Sequence, residues 1–140
     1  MYDVDRFLRA QNKVYENVIR ELKKGKKETH WMWFIFPQYK NLGTSIYSDF
    51  YGISCLEEAS EYIANETLHN RYVECCEILL LLKTNDIKSV IGDDFKKLKS
   101  SLTLFLLVDD DNKSLYLKII DKYFDGQQCE KTIKMALYNK

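Results

Sequence analysis

The residues of this 140-residue chain best suited to chemistry are gathered in one nonapeptide, HWMWFIFPQ, His30 to Gln38. It holds both tryptophans, the single proline and one of the two histidines. Tryptophan offers a broad π-face to a planar ligand and a directional N–H donor. On that reading Trp31 or Trp33 stacks on the ligand, and His30 or Gln38 binds its polar edge. His30 is also the acid–base candidate, because imidazole changes charge near neutral pH. The competing reading puts both tryptophans in the core, with His30 and Gln38 capping backbone groups. Large apolar residues are mostly buried for packing reasons alone.

A second candidate stretch is DDFKKLKSSLTLF, Asp93 to Phe105. On a helical wheel Lys97, Ser101 and Leu104 share one side, with Ser100 beside them and an apolar seam of Leu98, Leu102 and Phe105 opposite. Lys97 with one or two of the hydroxyls can hold a phosphate or carboxylate. The alternative is that the serines let a neighbouring helix approach, each bonding the carbonyl four residues back, while Lys97 stays solvated.

Other chemistries fit poorly. His30, His69 and the four cysteines (Cys55, Cys75, Cys76, Cys129) lack zinc-ligand spacing. The run DDDNKS resembles the start of an EF-hand loop but has Ser114 where glycine belongs and Ile120 where the bidentate acid belongs. No Walker, Rossmann or nucleophile-elbow glycine pattern occurs among the five glycines. No metal or cofactor is expected. A Ser–His or Cys–His pair stays open, because such pairs assemble only in the fold.

These residues must be positioned by helices. Phe7, Val14, Val18 and Leu22 recur at helical spacing, and Gly25 stops that helix. Gln11 falls inside the apolar stripe, where a buried amide needs partners. Thr29 is the expected N-cap of a short helix through the nonapeptide, which Pro37 ends. Further helices are predicted at Ser45–Tyr51, at Cys55–Ala64 behind a Ser54–Glu57 capping box, and from Leu68 to about Lys83. Asn85 and Asp93 are expected to cap the next two, ending near Ile91 and Val108. An amphipathic helix around Leu115–Tyr123 and a last one at Glu130–Tyr138 complete the chain. Connections are short and no convincing alternating strand appears, which predicts an all-α, single-domain bundle of about six to eight helices.

Composition narrows the function classes. Lys+Arg and Asp+Glu are 21 each, so a general nucleic-acid binder is not expected, although a local basic patch stays possible. Apolar runs are too short to span a bilayer, so no membrane association is expected. The N-terminus has no signal-peptide core. Cysteines without disulfide-like spacing suit a reducing compartment, so a cytoplasmic protein is predicted. The oligomeric state is left open.

The nonapeptide, together with Arg6, Phe7, Ala10 and Gln11 upstream, resembles a largely bacterial family known as domain of unknown function 1810. The resemblance continues through Leu42-Gly43, Tyr51-Gly52-Ile53, Leu68 with Arg71, Ile91-Gly92-Asp93, Lys97-Leu98 and Ser100–Phe105, to Phe124 and Gly126. It implies a small all-α fold and brings no established activity. It marks Arg6, Gln11, His30, Gln38, Lys97, Ser100 and Ser101 as polar members of the shared pattern. The resulting expectation is an inter-helix site for a planar, anionic, nucleotide-like small molecule. Trp31 or Trp33 would stack, Lys97 and the serines would hold the anion, and His30, Gln38 and Gln11 would orient polar edges. The alternative is a non-catalytic interaction module or homo-oligomer, with the motif as core or interface.

Overall fold

The computed structural model describes residues 2–138. The first helix, α1 (Asp5–Lys24), buries Phe7, Gln11, Val18 and Leu22 along one stripe, as the spacing predicts. Gly25 ends it in the left-handed region at φ 78°. Its N–H bonds the Leu22 carbonyl at 3.0 Å, and the next N–H, of Lys26, reaches back to Glu21 at 3.0 Å. This is a Schellman ending, which glycine adopts without a Cβ penalty.

The nonapeptide forms a single helical turn, α2 (Met32–Ile35). Thr29 is not its cap: Trp31 stands at that position with no side-chain cap bond, and the Thr29 hydroxyl is taken by Glu21 instead. After Pro37 the chain extends and pairs with the segment following α3 (Ile46–Tyr51). Ile53 N–H donates to the Gln38 carbonyl at 2.8 Å, and Lys40 N–H to the Ile53 carbonyl at 2.8 Å. This isolated parallel bridge between Tyr39 and Ile53 pins the backbone on both sides of Tyr39, from the Gln38 carbonyl to the Lys40 N–H.

Helix α4 (Leu56–Ala64) opens one residue later than predicted, and the reciprocal carboxylate is Glu58 rather than Glu57. Glu58 accepts from Ser54 N–H at 2.8 Å and from its hydroxyl at 2.9 Å. Asn65 ends α4 and caps α5 (Glu66–Leu81), accepting from Leu68 N–H at 3.0 Å. Neither Asn85 nor Asp93 is a cap. Asp86 precedes α6 (Ile87–Ile91), and a 3-10 turn over Gly92–Asp94 leads into α7 (Phe95–Leu106). A second 3-10 turn, Asp110–Asn112, opens α8 (Lys113–Phe124), and α9 (Glu130–Tyr138) follows. Among the described residues eight helices have five residues or more, and α2 is the ninth. The protein is all-α, as predicted.

Helices α5 and α7 are the centre. α5 packs on α1, α4 and α8, and α7 packs on α8, α9, α4 and α6. Tyr72 of α5 meets Phe105 of α7 at a centroid distance of 4.6 Å and Tyr116 of α8 at 5.6 Å, with Phe36 edge-on at 5.4 Å. Each such side chain contributes roughly 1.5–3 kcal/mol by leaving water. The Tyr72 hydroxyl is satisfied by Ser101 Oγ at 2.8 Å. Every residue from Ser100 to Leu106 is buried, so α7 has no solvated side in its second half.

Candidate functional site

The structure divides the predicted site residues into two groups. Arg6, Gln11, Trp31 and Ser101 are committed to holding the fold together. Arg6 pairs with Glu58 at 2.8 Å and donates to the carbonyls of Phe50 and Gly52 at 2.8 and 3.0 Å, tying α1 to the α3–α4 connection. Gln11 donates to the Phe34 carbonyl at 2.7 Å and the Tyr62 hydroxyl at 3.1 Å, and accepts from Arg71 at 3.3 Å. Its amide is spent inside the core. Ser101 is fully buried on Tyr72 and reaches no surface. The expected Lys97–Ser101 anion grip is therefore not formed.

Trp31 is 1% exposed and its indole N–H donates to Glu21 Oε1 at 3.0 Å. Glu21 is a buried hub. It also accepts from the N–H groups of Glu28 (2.6 Å) and Thr29 (3.0 Å), from the Thr29 hydroxyl (2.6 Å) and from Asn17 (2.5 Å). Burial alone would raise its carboxyl, but these donors overcome that and hold it down at about 2. The front half of the nonapeptide is thus a structural clamp.

The second group faces a wide groove of about 1280 Å³ between α2, α7 and the start of α9. Trp33, Gln38, Lys97 and Ser100 all line it. Two residues apart on a single helical turn, Trp31 and Trp33 point to different sides, which separates core from groove. Trp33 is partly exposed and stacks on Tyr47 with 17° between the planes. Lys97 Nζ lies 4.6 Å from the Trp33 ring centroid. It is steered there by Asp94, 3.0 Å away, which Lys27 also grips at 3.1 Å. Burial pushes the Asp94 carboxyl up, and the two lysines bring it net below its usual value. The Gln38 side-chain amide lines the groove with no hydrogen bond to any described residue, although the residue is only 9% exposed.

Sequence reasoning missed the other wall. Lys96 and Lys99 of α7 and Lys131 of α9 join Lys97 around the groove, against Asp93 and Glu130 in its lining and Asp94 paired to Lys97. In a chain with no formal net charge, this is a local basic surface. Lys96 sits over the Phe95 ring at 5.9 Å and Lys99 over Phe124 at 5.9 Å, so each groove aromatic carries an ammonium. The spacing FKKLK held this signal, since positions three and four apart share a helix face. That α9 completes the wall was not readable. Cys129, which precedes α9, also lines the groove, with its thiol 3.3 Å from Ser100 Oγ.

His30 is exposed, makes no hydrogen bond with the described residues and does not line the groove. The acid–base candidate is not brought to the binding candidates. His69 instead joins buried Asp109 at 2.9 Å, in a network with Tyr116 (2.5 Å) and Asn112 (3.0 Å). No cluster of three or more His, Cys, Asp or Glu that could hold a metal occurs among the described residues. Among the described residues no helix is long and apolar enough to cross a membrane.

With this geometry in hand, the comparisons agree on the class of protein. Residues 1–136 match the family described as protein of unknown function DUF1810, and the chain belongs to that family. The fold is shared with a solved structure, the conserved hypothetical protein Rv1873 from Mycobacterium tuberculosis. The two are 38% identical with a TM-score of 0.94, and the match covers 97% of each chain. No curated protein matches.

Proposed function

We propose that the groove binds a small planar anion of nucleotide type. The observation that carries this reading is the Trp33–Lys97 pair, an aromatic face with an ammonium held 4.6 Å from its centroid by Asp94. To stack on Trp33 a base would displace Lys97 or Tyr47 from the ring, and its phosphate would meet the lysines around the groove. Gln38 supplies an amide that can donate to or accept from a heterocycle edge. The reading is one of binding, with no chemical step assigned and His30 left outside it. Four free cysteines favour a reducing, cytoplasmic setting for a bacterial protein of this kind.

The test is titration with adenosine monophosphate, followed by tryptophan fluorescence and calorimetry at low and moderate salt. Saturable binding that weakens with salt and falls about tenfold in Lys97→Met supports the reading. Binding that is absent, or indifferent to both Lys97→Met and Trp33→Ala, ends it. A second reading rests on α3, where Ile46, Tyr47 and Phe50 are 84%, 61% and 54% exposed. Such an apolar face suits a protein interface. Self-association lost in Phe50→Asp, with no nucleotide binding, would favour it.

A further inference from the structure

Cys129 precedes α9 and lines the groove. Its carbonyl accepts the first bond of α9, from Ile133 N–H at 3.2 Å, so the side chain sits at the positive end of a nine-residue helix. Its own N–H is fixed by Thr103 Oγ1 at 2.9 Å. Ser100 Oγ lies 3.3 Å from the sulfur and 3.0 Å from the Lys96 carbonyl. That hydroxyl has one proton, which serves the carbonyl while the thiol is neutral and turns to the sulfur when the thiolate forms. Thr132 adds an independent signal. It is fully buried, and its hydroxyl has no hydrogen-bond partner among the described residues. A buried hydroxyl without a partner is costly unless an acceptor appears, and the thiolate is that acceptor. Burial pushes the Cys129 thiol up, but Ser100, the Thr132 hydroxyl and the N–H groups of Thr132 and Lys131 bring it net below its ordinary value.

The other cysteines lack this combination. Cys75 and Cys76 are buried in the core, and burial pushes both thiols up. Cys55 also precedes a helix, α4, and its thiol is likewise lowered once its hydrogen bonds with Tyr2, Ser54 and the α4 N–H groups overcome burial. Its neighbours are Glu57 and Glu58, whereas Cys129 lines a groove where Lys96, Lys97, Lys99 and Lys131 outnumber Asp93 and Glu130. Both the Cys55 and Cys129 thiols are thus held below the ordinary value, and they differ in the charged groups around them.

We infer that Cys129 is a thiol–disulfide exchange site for small anionic disulfides admitted by the groove. The thiolate, having lost its proton to solvent, attacks one sulfur of the incoming disulfide. A new S–S bond forms to Cys129, the old S–S bond breaks, and its electron pair leaves on the other half as a thiolate. Cys129 is oxidised and the departing thiol reduced, with no further oxidant. No second cysteine lines the groove, so the mixed disulfide is the end state within the chain. The site goes beyond the nucleotide reading and shares its lysines.

The experiment is timed incubation of the full chain with oxidised glutathione, a net anion, and separately with neutral 4,4′-dithiodipyridine. Intact mass and peptide mapping follow the adducts, with Cys129→Ser as the mapping control. Cys129 is expected to lead Cys55 by at least about tenfold with glutathione, and by much less with the neutral reagent. Lys96→Glu with Lys99→Glu should slow only the anionic reaction at Cys129. An adduct first on Cys55, the same Cys129 preference with both reagents, or no adduct on Cys129 overturns the inference. Adenosine monophosphate titration of the same preparation keeps the two readings separable: adduct without nucleotide binding removes only the earlier reading, and nucleotide binding without adduct removes only this one.

Discussion

The indole N–H of Trp31 donates to Glu21 Oε1 at 3.0 Å, deep inside the protein, and that bond decides how the aromatic motif is used. It fixes Trp31 in the core and leaves Trp33, two residues further on, to the groove.

Glu21 makes this clamp pH-sensitive. Its carboxyl sits at about 2 in the folded protein against an ordinary 4.5. A depressed carboxyl stabilises the fold above its unfolded value and loses that contribution as pH falls from about 4.5 toward 2, a matter of roughly 3 kcal/mol. Glu21→Gln should cost about 2–4 kcal/mol at pH 7, because an amide opposes several of the donors now aimed at it. Urea unfolding at pH 7 and pH 3 checks both points: the gap between wild type and variant should narrow sharply at the lower pH.

The two tryptophans should separate cleanly. Trp31→Ala removes a fully buried indole and strands Glu21, so a loss of about 3–5 kcal/mol is expected. Trp33→Ala should cost less than about 2 kcal/mol while abolishing nucleotide binding. Denaturation and titration of both variants decide it; equal stability losses would contradict the division.

His30→Ala is expected to change neither stability, beyond about 0.5 kcal/mol, nor binding. The sequence points the other way, toward loss of binding. A tenfold loss of nucleotide affinity in this variant would restore His30 to the site.

Gly52 tests the bridge beside Gln38. Its φ of −65° suits any residue, so the constraint is space. A Cβ there would lie 2.6 Å from Lys40 Cα and 2.6 Å from the Ser48 carbonyl oxygen, both backbone atoms that cannot swing aside. Gly52→Ala should cost roughly 1–3 kcal/mol and lower the thermal midpoint by several degrees. It should also weaken binding at the groove, since the Gln38 backbone is held by the same bridge.

Much of the helical order was legible because it is local. The stripe of Phe7, Val18 and Leu22, the Gly25 ending and the Asn65 break each depend on residues within a turn or two of one another. Caps were read less well. Thr29, Asp93 and Asn85 have suitable side chains, yet the Thr29 hydroxyl is claimed by Glu21, eight residues away, and neither Asp93 nor Asn85 holds a helix start. Periodicity also misjudged α7. Ser101 and Leu104 were placed opposite the apolar seam, but α8, α9 and α4 pack around the helix and leave no polar side there.

By itself the sequence determined the all-α architecture and the family pattern, and it named Trp33, Gln38, Lys97 and Ser100 as candidates, because these follow from side-chain type and near-neighbour spacing. Only the tertiary structure decided that Trp31, Gln11, Arg6 and Ser101 are spent on the fold, that His30 stands apart, and that Cys129 meets Ser100 from 29 residues away. The physical reason is that a helix wheel orders residues around one axis, while burial and charge at a site are set by which other helices close over it.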